Sequence, residues 1–402
     1  MILFARYAAL FRVPDLKAIA SASVIGRLPI GIAGLAIMLM TQGASGSFVD
    51  SGIATAGYIA GLAASSPFIG RYIDRRGPSR VLIAAMLAYP VIMGLLIAAA
   101  LLHVPKPVLG LVAFAAGIAY PPITVCMRSL LRQLLNDDER LQAAYSLESV
   151  LIESIFIAGP MLVALLVALA SPAYAVAFAA LCACVGTFLF LRSPVVDRWR
   201  IEPPRKASLL GPLATPGFVP LLAVILVYCA GFGLFEIGVT GYAAENGSPW
   251  LAGIMLGLAS VGSTAGALAY GSRTWRWPIN RQYFAVLALM GAGYVVLSFS
   301  SHGIVFALVS VLAGLAMSPP LIMQSMLVAR ITRPEHATEG FTWSSTSLLV
   351  GVGIGIAAGG MLLERYPSPA VFLAAGAAAL LACVISLALP GSPRAPAAIP
   401  IR

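Results

Sequence analysis

The chain has 402 residues, of which 60% are hydrophobic and only 10% charged, whereas ordinary soluble domains carry about 25% charged residues. A soluble fold of this length cannot hide so much apolar surface, and the uncharged stretches recur along the whole sequence, so lipid is its main solvent. The net charge of +10 would suit a nucleic-acid partner if the basic residues formed one patch, but their distribution points to membrane topology instead.

Apolar runs of about 20 residues, the length of a spanning helix, fall near 18–40, 48–70, 81–102, 107–131, 144–170 and 173–191. Six more fall near 217–243, 249–271, 282–301, 303–329, 340–363 and 369–389. Residues 192–216 are polar, basic and rich in proline. They read as a cytoplasmic linker between an N-terminal six-helix bundle, 1–191, and a C-terminal one, 217–389. Residues 390–402 are low in complexity and are expected to form a disordered cytoplasmic tail.

With the N-terminus inside, the outer loops hold only Lys106 and Arg365 of the 25 Lys and Arg residues, and Arg27 lies within a span. So strong a bias predicts that both termini are cytoplasmic. The first span has Arg27-Leu28-Pro29 in its middle and no small-residue cleavage site, so it is expected to stay in the mature chain. The five cysteines are odd in number and lie in apolar stretches, and neither they nor His103, His302 and His336 have ligand spacing. No disulfide, metal or cofactor is expected.

The two halves match at an offset of about 196 to 198 residues, the kind of internal repeat on which many transporters are built. The fourth span reads GIAYPPITVCMRSLLR from Gly117, and the tenth reads GLAMSPPLIMQSMLVAR from Gly314. Pro121-Pro122 and Pro319-Pro320 recur inside apolar spans, and Arg132 and Arg330 follow at the same distance. Proline frees a backbone carbonyl that protein or cavity water must satisfy. The fourth and tenth helices are therefore candidates to line a central path, with helix packing alone as the plainer explanation of the kinks. In the fifth and eleventh spans Gly159-Pro160 aligns with Gly355-Ile356.

After the second span the chain reads Gly70-Arg-Tyr-Ile-Asp74-Arg75-Arg76-Gly77-Pro-Ser-Arg80. This segment resembles the G-x-x-x-D-R-x-G-R-[RK] loop of the major facilitator superfamily, with Gly70, Asp74, Arg75 and Gly77 matching and Arg80 placed to replace the arginine lost at Pro78. The resemblance implies a cytoplasmic gate in which the carboxylate and neighbouring arginines contact facing helices when that side is closed. In the second half Tyr270 stands where the acid would be, so the charged gate is expected in the first half. Gly159-Pro160 is similar to the G-P-x-x-G-G element of proton-coupled antiporters of the superfamily, without its trailing glycines, and favours export over import.

An ionised side chain at the bilayer centre costs about 2.5–3.5 kcal/mol on insertion scales, so such residues are functional candidates. Arg27, Glu153 and Glu236 are the candidates for transport and proton coupling. The resemblance places the first and seventh spans, with Arg27 and Glu236, on the cavity, with a purely structural ion pair as the alternative. Glu148 and Glu153 are separated by about 140° around a helix, so they face different ways, and Glu148 is expected to pair with Arg128 or Arg132. Tyr58, Tyr120, Tyr228 and Phe232 are candidate cavity walls beside the two proline pairs, with lipid-facing packing as the alternative.

Together these features predict an all-α integral membrane protein with a twelve-helix major facilitator fold, similar to bacterial proton-coupled drug and metabolite exporters. It would act as a monomer in the bacterial inner membrane, exchanging a small amphipathic compound for protons. The alternatives are a symporter importing a sugar, carboxylate or other nutrient, and a lipid flippase. No nucleophile with base, paired carboxylates or phosphate-cradling loop occurs in a polar segment, which argues against an enzyme.

Overall fold

Within a bilayer the backbone must satisfy its own polar groups, and this chain does so with helices. The computed structural model describes residues 7–8, 10, 12–13, 15–46, 48–135, 137–197, 199, 210–248, 250–300 and 302–390. Much of the 192–216 linker and all but the first residue of the expected tail therefore lie outside the described residues. Among the described residues twelve helical segments are long and apolar enough to cross a membrane. In order they are Leu16–Ser45, Asp50–Arg76, Pro78–Leu101, Lys106–Leu134, Asp138–Leu169, Pro172–Leu191, Phe218–Glu245, Leu251–Gly271, Ile279–Ser298, Gly303–Ile331, Pro334–Leu363 and Ser368–Ser386.

The segments match the apolar runs in number and order, and the differences lie at the ends. The second helix continues through Arg76, so the Gly70–Arg76 segment is its last two turns rather than a loop. The chain turns only at Gly77, whose φ of 85° lies in the left-handed region that favours glycine. The fifth helix starts at Asp138, six residues before its apolar run, where the Asp137 side chain accepts the Glu139 N–H at 3.2 Å as an N-cap. Hydropathy does not register such turns, because they extend beyond the hydrocarbon.

Packing follows the sequence repeat. The first helix packs on the fifth and sixth, and the seventh packs on the eleventh and twelfth. The second pairs with the fourth as the eighth does with the tenth, and the third with the sixth as the ninth does with the twelfth. Across the halves, the second helix meets the eleventh and the eighth meets the fifth. This is a two-fold relation between the two sets of six.

Small residues allow the closest approaches. A Cβ on Gly159 would come within 2.5 Å of the Gly31 carbonyl oxygen, and one on Gly355 would overlap the carbonyl of Ala230. These are matching contacts, fifth helix on first and eleventh on seventh. The proline pairs also leave matching interruptions. The fourth span is broken between Ala119 and Ile123, and the tenth between Gly314 and Ser318. Pro29, by contrast, leaves the first helix unbroken.

The apolar core is continuous at one end only. One cluster, including Ile32, Tyr89, Val163 and Ala183, belongs wholly to the first six spans. A larger one runs through the last six and takes in Ile19, Leu130 and Tyr145 of the first six. These three residues lie toward the end that carries the arginine-rich turns, so the halves share a core there and part toward the other end.

Candidate transport site

The polar contacts between the halves gather at the arginine-rich end. Asp74 is 3% exposed, and its two carboxylate oxygens accept the backbone N–H groups of Thr338 at 3.0 Å and Glu339 at 2.7 Å. Those groups open the eleventh helix, Ala337–Leu363, so a carboxylate from the second helix caps an N-terminus in the other half. Arg71, one turn before Asp74, donates Nε and Nη2 to Glu339 Oε1 at 3.0 and 2.5 Å. Gly70 permits the contact, because a Cβ there would press on Thr342 and on the Glu339 backbone.

Arg75 and Arg80 are exposed and make no ion pair among the described residues. Within this segment the arginine that crosses to the other half is therefore Arg71, not Arg75 or Arg80 as expected from the motif. Arg71 lies one turn deeper along the second helix, level with Glu339, whereas Arg75 is exposed in its last turn and Arg80 lies beyond Gly77 in the third helix. The second half has a neutral counterpart. Gln142 of the fifth helix donates Nε2 to the carbonyls of Tyr270 at 2.7 Å and Arg273 at 3.2 Å, at the end of the eighth.

The two repeat-related arginines act reciprocally. Arg132 donates Nη2 to the Thr332 carbonyl at 2.7 Å, and Arg330 donates Nη2 to Asp138 at 2.7 Å. Ser129 and Thr338 meet at 3.2 Å beside them. At the opposite end the described polar contacts stay within one half. Lys106 pairs with Asp50 at 2.9 Å, and Glu245 accepts the N–H of Ser368 at 2.7 Å and its hydroxyl at 2.6 Å.

Arg27 and Glu148 form a buried pair between the first and fifth helices. Nη1 and Nη2 donate to the two carboxylate oxygens at 2.6 and 3.0 Å, while Ser23 receives Nε on its carbonyl and Nη2 on its hydroxyl. Glu148 thus pairs with Arg27, not with Arg128 or Arg132, because the close packing of these two helices brings the charges together. Glu153 faces another way and reaches across the halves. Its Oε1 accepts the hydroxyls of Ser263 at 2.7 Å and Ser318 at 3.3 Å, from the eighth and tenth spans.

Glu236 is half-buried, and its carboxylate has no hydrogen bond or ion pair among the described residues. It lies within electrostatic reach of Tyr294, whose buried hydroxyl is also unpartnered. Arg27 and Glu236 are therefore not each other's partners.

Of the candidate cavity walls, Tyr58, Tyr120 and Tyr228 are buried, as are Pro121, Pro319 and Pro320. The tyrosines turn inward because each hydroxyl finds a partner within the protein. Tyr58 meets Tyr89 at 3.0 Å, Tyr120 donates to the Gly26 carbonyl at 3.2 Å, and Tyr228 donates to Gln324. Only Pro122 and Phe232 of this group are partly accessible. Gly159 is buried against the first helix and Pro160 is exposed.

Among the described residues no three His, Cys, Asp or Glu side chains cluster as a metal site. The described cavity, of about 220 Å³, lies between the halves at the arginine-rich end and includes Asp138, Gln142, Tyr270, Trp275 and Arg330 in its lining.

Comparison with known proteins agrees with this architecture. A bacterial homologue of the iron transporter ferroportin, solved in an outward-facing state with soaked iron, superposes with a TM-score of 0.75 at 16% identity, covering 92% of this chain and 98% of that one. The human organic anion transporter MFSD10 gives 0.69 at 16% identity, covering 93% and 99%, and the proton:xylose symporter XylE gives 0.71 at 13%, covering 92% and 94%. At such identities the likeness is one of fold. No curated protein sequence matches the chain. The model of the Major Facilitator Superfamily matches residues 19–303 and again 221–401, and the chain, a twelve-span transporter, belongs to that family.

Proposed function

We propose that this transporter is a secondary active carrier exporting a small amphipathic compound in exchange for protons, by rocking of two six-helix bundles, 1–191 and 217–389, about a central site. The arginine-rich end is the cytoplasmic end, following the distribution of basic residues, and the polar contacts between the halves at that end support a state closed there. The membrane is the bacterial inner membrane.

The observation that carries proton coupling is the position of Glu153. A coupling carboxylate must change surroundings as the carrier changes state, and the partners of Glu153, Ser263 and Ser318, come from the opposite half. An ionised carboxylate is the stronger acceptor for two hydroxyls. A proton arriving from outside weakens those bonds and eases the bundles apart at the cytoplasmic end, where the proton then leaves as cargo enters. Glu236, half-buried and unpartnered, is the second site of proton exchange. Export as the direction is supported by the likeness of Gly159-Pro160 to the antiporter element.

The test is transport by the purified protein in liposomes loaded with a pH-sensitive dye, using lipophilic cations, acids, antibiotics and sugars. Counterflow of protons against cargo, lost in Glu153→Gln and reduced in Glu236→Gln, is the expected result. Protons moving with cargo would make the protein an importing symporter. Cargo movement that depends on the lipid and not on protons would make it a flippase.

A further inference from the structure

Arg128 is 6% exposed, yet its side chain makes no hydrogen bond or ion pair among the described residues, and its Nε is fully buried without an acceptor. The charged groups within electrostatic reach are Glu148 and Arg27, with the hydroxyls of Tyr145 and Tyr228 beside them. Glu148 already holds Arg27 through both oxygens. Two guanidinium groups therefore share one carboxylate, leaving an excess positive charge in the protein interior, an arrangement that a buried site sustains only with a counter-ion.

Other unpartnered donors lie around it. Gln324 is 0% exposed; its Oε1 accepts the Tyr228 hydroxyl, and its Nε2 has no acceptor. Tyr228 thus joins the two, hydrogen-bonded to Gln324 and within electrostatic reach of Arg128. Thr124, one turn before Arg128 on the same helix face, has a buried hydroxyl without a partner. Ser129, adjacent to Arg128 in sequence, touches Thr338 of the other half at 3.2 Å, so these donors sit just above the contacts that close the arginine-rich end.

We propose that Arg128, with Gln324 and Thr124, is a recognition site for a carboxylate carried by the cargo, an assignment that rests on the transport function proposed above and narrows the cargo to amphipathic monoanions. A guanidinium edge presents two parallel N–H groups that match the two oxygens of a carboxylate. Gln324 adds a donor from the tenth span, so a bound carboxylate bridges the two halves. An amine cargo would face an uncompensated cation instead.

The test uses the purified full-length protein and four probes with one ring system: naphthylacetate, its methyl ester, naphthylethylamine and naphthyl phosphate. Binding is measured by calorimetry, alongside thermal unfolding, in the absence of a proton gradient. Its failure therefore leaves proton exchange to the separate liposome test. The wild type is expected to bind the acid about 10- to 100-fold more tightly than the ester or amine, the range for hydrogen bonds to a charged group. Arg128→Gln is expected to abolish that preference while raising the unfolding temperature of the ligand-free protein, because it removes the uncompensated charge. Arg128→Lys should retain part of the preference, and Gln324→Leu should weaken acid binding several-fold. A preference for the phosphate, equal or tighter binding of the amine or ester, no binding of any probe, or acid preference surviving in Arg128→Gln would each overturn the assignment.

Discussion

The carboxylate of Asp74 holds the backbone N–H of Glu339 at 2.7 Å across the two halves of the protein, and the side chain of Glu339 is held in turn by Arg71 from the same helix face. One residue of the eleventh helix is thus gripped at backbone and side chain by two residues of the second. Three charges and a helix terminus are satisfied only while this end is shut, which gives the closed state a definite energetic basis.

Asp74→Asn keeps the shape and removes the charge from two hydrogen bonds. The loss is expected to be about 1.5–3 kcal/mol, the range for hydrogen bonds to charged groups, and to favour opening at the arginine-rich end by roughly tenfold or more. Cys126 reports on it, being 0% exposed and close enough to Asp74 to feel its charge. In a background where the other four cysteines, Cys182, Cys184, Cys229 and Cys383, are replaced by alanine, maleimide should label Cys126 faster in Asp74→Asn. Unchanged labelling would show that these bonds do not hold the end closed.

The Arg27–Glu148 pair is buried, so removing its carboxylate strands a charge. Glu148→Gln, which leaves two buried guanidinium groups without a carboxylate, is expected to destabilise the protein by about 3–5 kcal/mol, whereas replacing the pair by apolar residues of similar volume should be far milder. Thermal unfolding of Arg27→Gln, Glu148→Gln and the Arg27→Met/Glu148→Leu double variant in detergent measures this. Equal damage in single and double variants would contradict a role confined to mutual compensation.

Helix contacts through glycine give a third expectation. A Cβ on Gly186 would overlap the backbone of Gly26, while one on Gly34 of the same first helix would meet nothing within 4 Å. Gly186→Ala should therefore lower stability by about 1–3 kcal/mol through overpacking. Gly34→Ala should be neutral or gain about 0.5–1 kcal/mol by relieving the glycine penalty in a helix. Comparison of their unfolding temperatures checks both signs.

Hydropathy and the repeat made the spans legible in the sequence, because a bilayer imposes length and apolarity on every helix that crosses it. The Gly70–Arg80 segment located the contact between halves for the same reason that it names the family. Which arginine crosses was not legible, since Arg71, Arg75 and Arg80 crowd one short basic segment and the sequence does not say how far the second helix runs before the turn at Gly77. The partner Glu339 lay in plain view in the acidic and basic turn RPEHATEG, but a one-dimensional reading does not say that its N-terminal amides point at Asp74. Proximity in sequence favours the fourth span as the source of a partner for Glu148, whereas close packing of the first and fifth helices supplies Arg27. The inward turn of Tyr58, Tyr120 and Tyr228 depends on hydroxyl partners up to 96 residues away, and Arg128 gained significance only from the absence of such a partner.

Alternating access about this contact is tested most directly by spin-label distances at both ends of one molecule. One pair, Arg75→Cys with Arg333→Cys, spans the halves at the arginine-rich end, and a second, Leu102→Cys with Arg365→Cys, spans them at the opposite end; all four sites are exposed. Measured in liposomes across an acid-to-alkaline pH series, with and without Asp74→Asn, the first distance should lengthen as the second shortens, with Asp74→Asn favouring the long first distance. Two distances that stay fixed, or that lengthen together, would contradict a carrier that closes one end as it opens the other.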